Sequence, residues 1–208
     1  MNAGFMPEGL PDFSDGFDVY AGWEITRKGD NSLTPEQNRL LAYGAPLFLY
    51  NDDNMDSLES TTDTDTLKEM LEEWWEVTDR KSALETISWL LNEGQHAGAD
   101  PALAEIRQRG IEAITEEEKA DEDSKIGDAF TIAEFVMGVN ETTEADLPET
   151  VLAWDLVRAV NMARWAFICG YINEDEMWEA IRTTAGIAKE SFNSWEEYGN
   201  SFAVGRGI

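Results

Sequence analysis

Apolar residues recur at the spacing of an α-helix along most of this chain. From Leu67 to Trp75 they stand at positions i, i+3, i+4, i+7 and i+8, and between Ala83 and Leu91 they stand at i, i+1, i+4, i+7 and i+8, which is also a helical spacing. Residues spaced in this way line one face of a helix. Alternation of apolar and polar residues, which is typical of a strand, is almost absent. The sequence therefore predicts an all-α protein with about seven to nine helices packed on one another.

Several helix starts are marked by residues that satisfy the free N–H groups of a first turn. Three capping boxes are predicted, at Thr34–Gln37, Asn173–Glu176 and Ser194–Glu197. Asp100-Pro101 predicts the start of a short helix that ends at Gly110. Pro148 predicts the start of the longest helix, over 149–169.

The domain organisation is inferred from the distribution of glycine, proline and acidic residues. Residues 1–33 are rich in glycine, hold two of the six prolines and carry scattered aromatic residues. We interpret 1–33 as an irregular N-terminal arm packed on the body, and 34–208 as a single globular α-helical domain. Within that domain the acidic segments 51–66 and 111–125 have the composition of mobile segments.

No stretch of the sequence has the pattern of a targeting or membrane-spanning segment, so we expect a cytoplasmic protein without membrane association. The single Cys and single His exclude a disulfide framework and the usual zinc sites. No glycine-rich nucleotide motif is present, and we expect neither metal nor cofactor. Residues 52–63 match part of the spacing of a calcium loop, but Ser57 stands where such a loop needs glycine.

The charge of the chain excludes some partners and favours others. With 43 acidic and 15 basic residues, the formal net charge is −28. A nucleic-acid binder needs Lys and Arg to displace counterions, so nucleic acid is excluded as a partner. The acidic residues concentrate in 51–76, with ten acids and one lysine, and in 112–149, with thirteen acids and two lysines. Either the host proteome is acidic and these are solvated faces, or the charge steers a basic protein towards them.

A polar row interrupts the apolar helix predicted over 149–169. Asp155, Arg158, Asn161 and Arg164 follow one another in steps of three residues, so neighbouring members share a helix face. One hypothesis is a buried ion pair with hydrogen bonds that fix the packing of the helix. The alternative is a pocket in which the two arginines hold an anionic ligand or a partner carboxylate, with His96 nearby. On that alternative the protein is a small-molecule binder or an uncharacterised enzyme.

The candidate partner surface combines tryptophan with acidic residues. Trp75 and Trp195 are predicted as exposed anchors, because tryptophan is enriched at binding hot spots. The acidic residues predicted to surround a basic partner are Glu72, Glu73, Glu116, Glu117 and Glu118. No nucleophile motif accompanies His96, and no set of catalytic residues is evident. The chain is therefore interpreted as a non-enzymatic protein-binding protein.

The C-terminal block resembles a known family. Residues 153–165 read Ala-Trp-Asp-Leu-Val-Arg-Ala-Val-Asn-Met-Ala-Arg-Trp, followed by Gly170-Tyr171-Ile172, Trp178, Ser194–Tyr198 and Gly205-Arg206. This pattern is similar to the bacterial proteins grouped as domain of unknown function family 1266, with weaker similarity at 74–80 and at Gly94-Gln95-His96. The resemblance implies a small, helical, cytoplasmic protein without established enzyme activity. Some members resemble proteins encoded near toxin systems, which implies an immunity or adaptor role.

Overall fold

A computed structural model describes residues 25–121, 124–140 and 142–208. Within these residues the chain forms α-helices and 3-10 turns and no strand, which confirms the predicted all-α class. The helices are α1 Pro35–Leu41, α2 Ala45–Tyr50, α3 Thr64–Trp75, α4 Arg80–Asn92, α5 His96–Arg109, α6 Glu116–Lys119, α7 Ile126–Asn140, α8 Leu152–Ile168, α9 Glu174–Ser191 and α10 Trp195–Gly207. The 3-10 turns are Ala42–Gly44, Ile111–Ala113 and Glu144–Asp146. Residues 1–24 of the predicted arm lie outside the described residues.

The predicted capping residues begin their helices. Thr34 and Asn173 each form a complete capping box, in which the cap side chain and the third helical side chain bond each other's backbone N–H. The Ser194 hydroxyl accepts from the Glu197 N–H and begins α10, but the capping box predicted there is incomplete, because the Glu197 carboxylate accepts from the Asn193 N–H instead of the Ser194 N–H. Asp79 caps α4 and Asp63 caps α3 in the same manner. These helix starts are thus specified by local sequence.

The predicted helix start at Asp100-Pro101 is wrong, because α5 already begins at His96 and contains Pro101. Pro101 is the sixth residue of the helix, so its missing N–H removes only the bond to the Ala97 carbonyl. Asp100 does not cap its own helix. Its carboxylate accepts hydrogen bonds from the Val151 N–H and the Thr150 hydroxyl, both at 2.7 Å. Asp100 therefore ties α5 to the start of α8.

Helix α8 lies at the centre of the fold. Thirteen of its seventeen residues are buried, which is too many for a helix with one exposed face. It packs against α2, α4, α5, α9, α10 and the Ala42–Gly44 turn. It begins at Leu152 rather than at 149, and α9 is one residue longer. The polar side chains of a helix enclosed in this way must find most of their hydrogen-bond partners within the protein, because water does not reach them.

The acidic regions 51–76 and 112–149 pack at opposite ends of α8. Helix α3 buries Leu67 and Leu71 in a core cluster that contains the second half of α8, from Ala159 onward. Helix α7 buries Ala129 in a second cluster, which includes Val151 at the start of α8. The acidic residues predicted as one partner surface therefore lie on two separate regions.

No helix among the described residues combines the length and the apolar character that crossing a membrane requires.

Two glycines of α10 make a matched test of this packing. A Cβ at Gly205 would lie 2.8 Å from the Cβ atoms of Val151 and Trp154, whereas a Cβ at Gly199 would meet nothing within 4 Å. We expect Gly205→Ala to lower the free energy of unfolding by about 1–3 kcal/mol through overpacking. Gly199→Ala should raise it by roughly 0.5–1 kcal/mol through helix propensity. Urea unfolding followed by circular dichroism measures both, and equal effects would contradict the close packing of α10 on α8.

Candidate functional site

The carboxylate of Asp155 holds the N-terminus of α5 against α8. Asp155 is fully buried, and its Oδ1 and Oδ2 accept hydrogen bonds from the backbone N–H groups of Gln95 at 3.0 Å and His96 at 2.9 Å. Nδ1 of His96 lies 2.8 Å from Oδ2. An acidic side chain is stabilised at a helix N-terminus because the free N–H groups there carry partial positive charge. Asp155 thus caps α5 from a different helix.

Glycine is required at position 94 by this arrangement. Gly94 has φ of +51°, and a Cβ there would lie 2.3 Å from Oδ2 of Asp155. The chain approaches the carboxylate so closely only because Gly94 has no side chain.

Arg158 completes the cluster that we call the α5–α8 polar cluster, formed by His96, Asp155 and Arg158. Its Nη2 pairs with Oδ1 of Asp155 one turn earlier on α8. The guanidinium lies 4.6 Å from the ring centroid of Trp154 and 5.6 Å from that of Trp75. Arg158 is buried, and its Nε has no hydrogen-bond partner among the described residues. Aromatic rings and one carboxylate therefore enclose the arginine.

The pKa values of the cluster reflect these contacts. The hydrogen bond to Asp155 raises the pKa of His96 above its ordinary 6.5, and burial opposes this effect. Burial alone would raise the pKa of Asp155, but the hydrogen bond from His96 and the charge of Arg158 are among the contacts that lower it. Burial lowers the pKa of Arg158, which stays charged because guanidinium does not lose its proton in proteins.

Asn161 and Arg164 do not join this cluster. Nδ2 of Asn161 donates to the Gly44 carbonyl at 3.2 Å and to the Val157 carbonyl at 2.8 Å. Each step of three residues falls about 60° short of a full helical turn, so three such steps rotate the row to the opposite side of α8. The predicted row is therefore divided, with Asp155 and Arg158 facing α5 and Arg164 facing the loop before α3.

Arg164 anchors that loop from inside the protein. It is fully buried, and its Nη1 lies 3.0 Å from Oδ2 of Asp53. Its Nη2 donates to the Glu59 carbonyl at 2.6 Å, and its Nε donates to the Leu58 carbonyl at 3.3 Å. Every nitrogen of the guanidinium therefore has a partner within the chain, which is what a structural arginine requires.

Asp53 is a residue that the sequence analysis missed. It is buried, and its carboxylate also accepts from the Thr61 N–H at 2.8 Å and from the Ser60 hydroxyl at 2.9 Å. Two acidic residues of the stretch 52–63, whose spacing partly matches a calcium loop, have other roles. Asp56 accepts from the N–H groups of Lys28 and Gly29, and Asp63 caps α3. Among the described residues no group of three or more His, Cys, Asp or Glu is placed to hold a metal ion.

The predicted tryptophan anchors differ in exposure. Trp195 is 57% exposed, whereas Trp75 is half-buried beside Arg158. Trp74, its neighbour in α3, is 52% exposed. Trp75 therefore packs against the polar cluster instead of standing out from the surface.

The predicted acidic residues also fall into two kinds. Glu118 binds Arg109, and Glu116 pairs with Lys119 at 2.8 Å. Glu117 is exposed, as are Glu72 and Glu73 on α3. The acidic residues of α6 thus include partners for nearby bases.

The fold and the polar cluster define a class of protein: a helical protein built around one enclosed helix whose charged side chains bind the surrounding elements. The family described as "Protein of unknown function (DUF1266)" matches residues 70–208. The chain belongs to this family, as the C-terminal sequence pattern predicts. Comparisons with curated proteins and with solved structures returned no match. The matched residues include His96, Asp155 and Arg158, but they exclude Asp53.

Removing Asp53 tests the buried pair. We expect Asp53→Asn to lower the free energy of unfolding by about 3–5 kcal/mol, because it leaves the Arg164 charge buried without a counter-charge. Asp52→Asn is the matched control. Asp52 is exposed and has φ of +51°, a conformation that asparagine tolerates, so its effect should stay within about 0.5 kcal/mol. Urea unfolding measures both, and similar small effects would contradict an anchoring role for Asp53.

The pH dependence of stability tests the contact between His96 and Asp155. The pKa of His96 is higher in the folded state than in the unfolded state, so its protonated ring stabilises the fold through Asp155. This stabilisation is fully present below pH 6.5 and is lost as the pH rises through the folded-state pKa. We therefore expect the difference in unfolding free energy between the wild type and His96→Gln to be larger near pH 6 than near pH 9. A difference that is constant or grows with pH would contradict the pairing.

Proposed function

We propose that this protein is a non-enzymatic binding protein of the adaptor or immunity type, and that it binds a basic protein partner in the cytoplasm. The observation that carries the proposal is the acidic face of α3, formed by Asp65, Glu69, Glu72 and Glu73 of the helix and by its C-cap residue Glu76. All five are exposed. Within the described part of the chain, none of them forms an ion pair with a basic side chain.

The geometry of α3 places these carboxylates close together. Asp65, Glu69 and Glu72 follow at steps of four and three residues, which is one stripe along a helix, and Glu76 follows directly after the last helical residue. The stripe from Asp65 to Glu72 is roughly 10 Å long, since each residue advances a helix by about 1.5 Å. A basic protein surface can pair with several members of such a stripe at once.

The acidic face acts against the stability of its own helix. Asp65 and Glu69, like Glu69 and Glu73, are like-charge pairs at the spacing that destabilises a helix by about 0.2–0.5 kcal/mol each. The last turn of α3 has no basic residue, so Glu72 and Glu73 also oppose the negative end of the helix dipole. Residues that lower the stability of a fold are often kept for binding or catalysis. This conflict supports a binding role for the face.

The interior charges support the same division of roles. Arg164 and Asp155 form their hydrogen bonds with the backbone and side chains of this chain. Their contacts hold α5 and the loop before α3, which is a structural task. Binding of a partner then falls to charges on the surface.

Neutralising the acidic face should change stability and binding in opposite directions. We expect the triple variant Glu69→Gln, Glu72→Gln, Glu73→Gln to gain roughly 1 kcal/mol in the free energy of unfolding, as like-charge pairs are removed. Its affinity for a basic partner, retrieved with the tagged full-length protein at low salt, should fall about tenfold. The wild-type affinity should weaken steeply with added salt, because charge pairs are screened.

A matched variant removes the same charge elsewhere. Glu112, Glu117 and Glu134 are exposed, belong to the second acidic region and form no ion pair within the described residues. Changing these three to glutamine should alter the affinity by about twofold at most, through the general field of the protein. If this variant loses more affinity for the partner than the α3 variant does, the binding face does not lie on α3. Partner binding that is insensitive to salt, or no basic partner at all, would refute the proposal.

A further inference from the structure

A small open pocket of about 220 Å³ lies where α9 ends and α10 begins. Its lining includes four aromatic residues, Tyr43, Phe192, Trp195 and Tyr198. A volume of this size accommodates one side chain rather than a cofactor, since sites for small molecules usually span about 300–1,000 Å³.

The aromatic residues form a fixed frame around Tyr198. The ring centroid of Tyr198 lies 5.3 Å from that of Phe192 and 5.7 Å from those of Tyr43 and Trp195, all in nearly perpendicular arrangements. The buried Tyr198 hydroxyl donates to the Tyr43 carbonyl at 2.8 Å. Trp195, which is mostly exposed, packs on Tyr43 with a centroid distance of 4.7 Å. The pocket therefore offers preorganised aromatic surface to an incoming group.

We propose that this pocket receives the side chain of an arginine from a basic protein partner. The inference rests on the proposed function for the charge of the partner, and it adds the chemistry of one contact. A guanidinium is attracted to the negative face of an aromatic ring, most strongly to tryptophan. The chain already uses this contact internally, with Arg164 at 4.7 Å from the Phe48 centroid and Arg206 at 4.0 Å from that of Tyr50.

The electrostatic potential at the pocket favours a cation. Helix α9 ends beside the pocket, where its last intrahelical bond is from the Phe192 N–H to the Ala188 carbonyl. The carbonyls that follow accept no hydrogen bond from the described residues, and a helix C-terminus carries partial negative charge. The α9 end therefore offers acceptors to a guanidinium, which has donors and no acceptor.

A carboxylate adds to this charge. Oε2 of Glu197 accepts from the backbone N–H of Asn193 at 2.8 Å and from its side-chain amide at 3.2 Å, and Asn193 lines the pocket. Glu197 forms no ion pair with a basic side chain of the described residues. Lys189, also at the wall, is exposed and is the cation that opposes an incoming arginine. Because Lys189 repels a bound arginine, the proposal predicts that removing Lys189 strengthens arginine binding.

The test uses the full-length protein and three small probes, acetyl-arginine amide, acetyl-leucine amide and acetyl-aspartate amide. Indole N–H resonances are followed by NMR during titration to about 50 mM, since one side-chain contact is expected to bind in the millimolar range. We expect saturable binding of the arginine probe with a shift of the Trp195 resonance. Trp195→Ala should abolish that binding, and Trp89→Ala, at an exposed tryptophan on α4 (39% exposed), should leave it unchanged.

Lys189→Ala separates the proposed occupant from its rivals. Removing this cation should strengthen binding of the arginine probe about twofold or more, as expected for the loss of a like-charge neighbour. Preferred binding of the leucine or aspartate probe would overturn the proposal, because the pocket would then be an apolar or anionic site. No saturable binding of the arginine probe, or binding that survives Trp195→Ala, would also overturn it.

The partner assay distinguishes this inference from the proposed function. If both hold, Trp195→Ala weakens the basic partner about fivefold or more at fixed salt, in addition to the effect of neutralising α3. If Trp195→Ala leaves partner binding unchanged while the α3 variant weakens it, the arginine pocket is refuted and the proposed function stands. If no basic partner exists, the proposed function fails by itself, whatever the probe titration shows.

Discussion

The burial of charged side chains on α8 is the constraint on which the rest of the structure depends. A charge taken out of water must be met by an opposite charge or by hydrogen bonds, or the fold loses several kcal/mol. Asp155 pairs with Arg158 and accepts hydrogen bonds from the first N–H groups of α5. Arg164 pairs with Asp53 and donates hydrogen bonds to two loop carbonyls. Elements that are far apart in the sequence are thereby fixed around one helix. Apolar packing alone would allow these elements more than one position.

Local patterns predicted the helices well, and the polar contacts between elements poorly. Capping boxes such as Thr34–Gln37 act within one turn, so the sequence shows them directly. The proximity of His96 to Asp155 was anticipated only as an alternative. The pairing of Arg164 with Asp53 joins residues 111 positions apart and leaves no periodic pattern among the many acids of the loop. The start of α5 was misplaced because Pro101 normally indicates a first turn, whereas here one lost hydrogen bond is tolerated.

The charges inside and outside the protein have different consequences. The interior charges are few, paired and almost insulated from salt. The acidic residues of α3 are exposed and repel one another, and their arrangement lowers the stability of the helix that carries them. On this account the interior network holds the fold, while the surface charge is available for a basic partner. The aromatic pocket beside Trp195 would then add a specific contact to a general attraction.

The salt dependence of stability tests this separation most directly. The free energy of unfolding of the wild-type protein is measured by urea titration in about 10 mM and about 500 mM sodium chloride, which shortens the Debye length from roughly 30 Å to a few ångströms. Stability should rise with salt, because screening relieves the repulsion of a chain with formal charge −28 and leaves the buried pairs intact. A fall in stability with salt would show that exposed ion pairs hold the fold, and it would contradict the account.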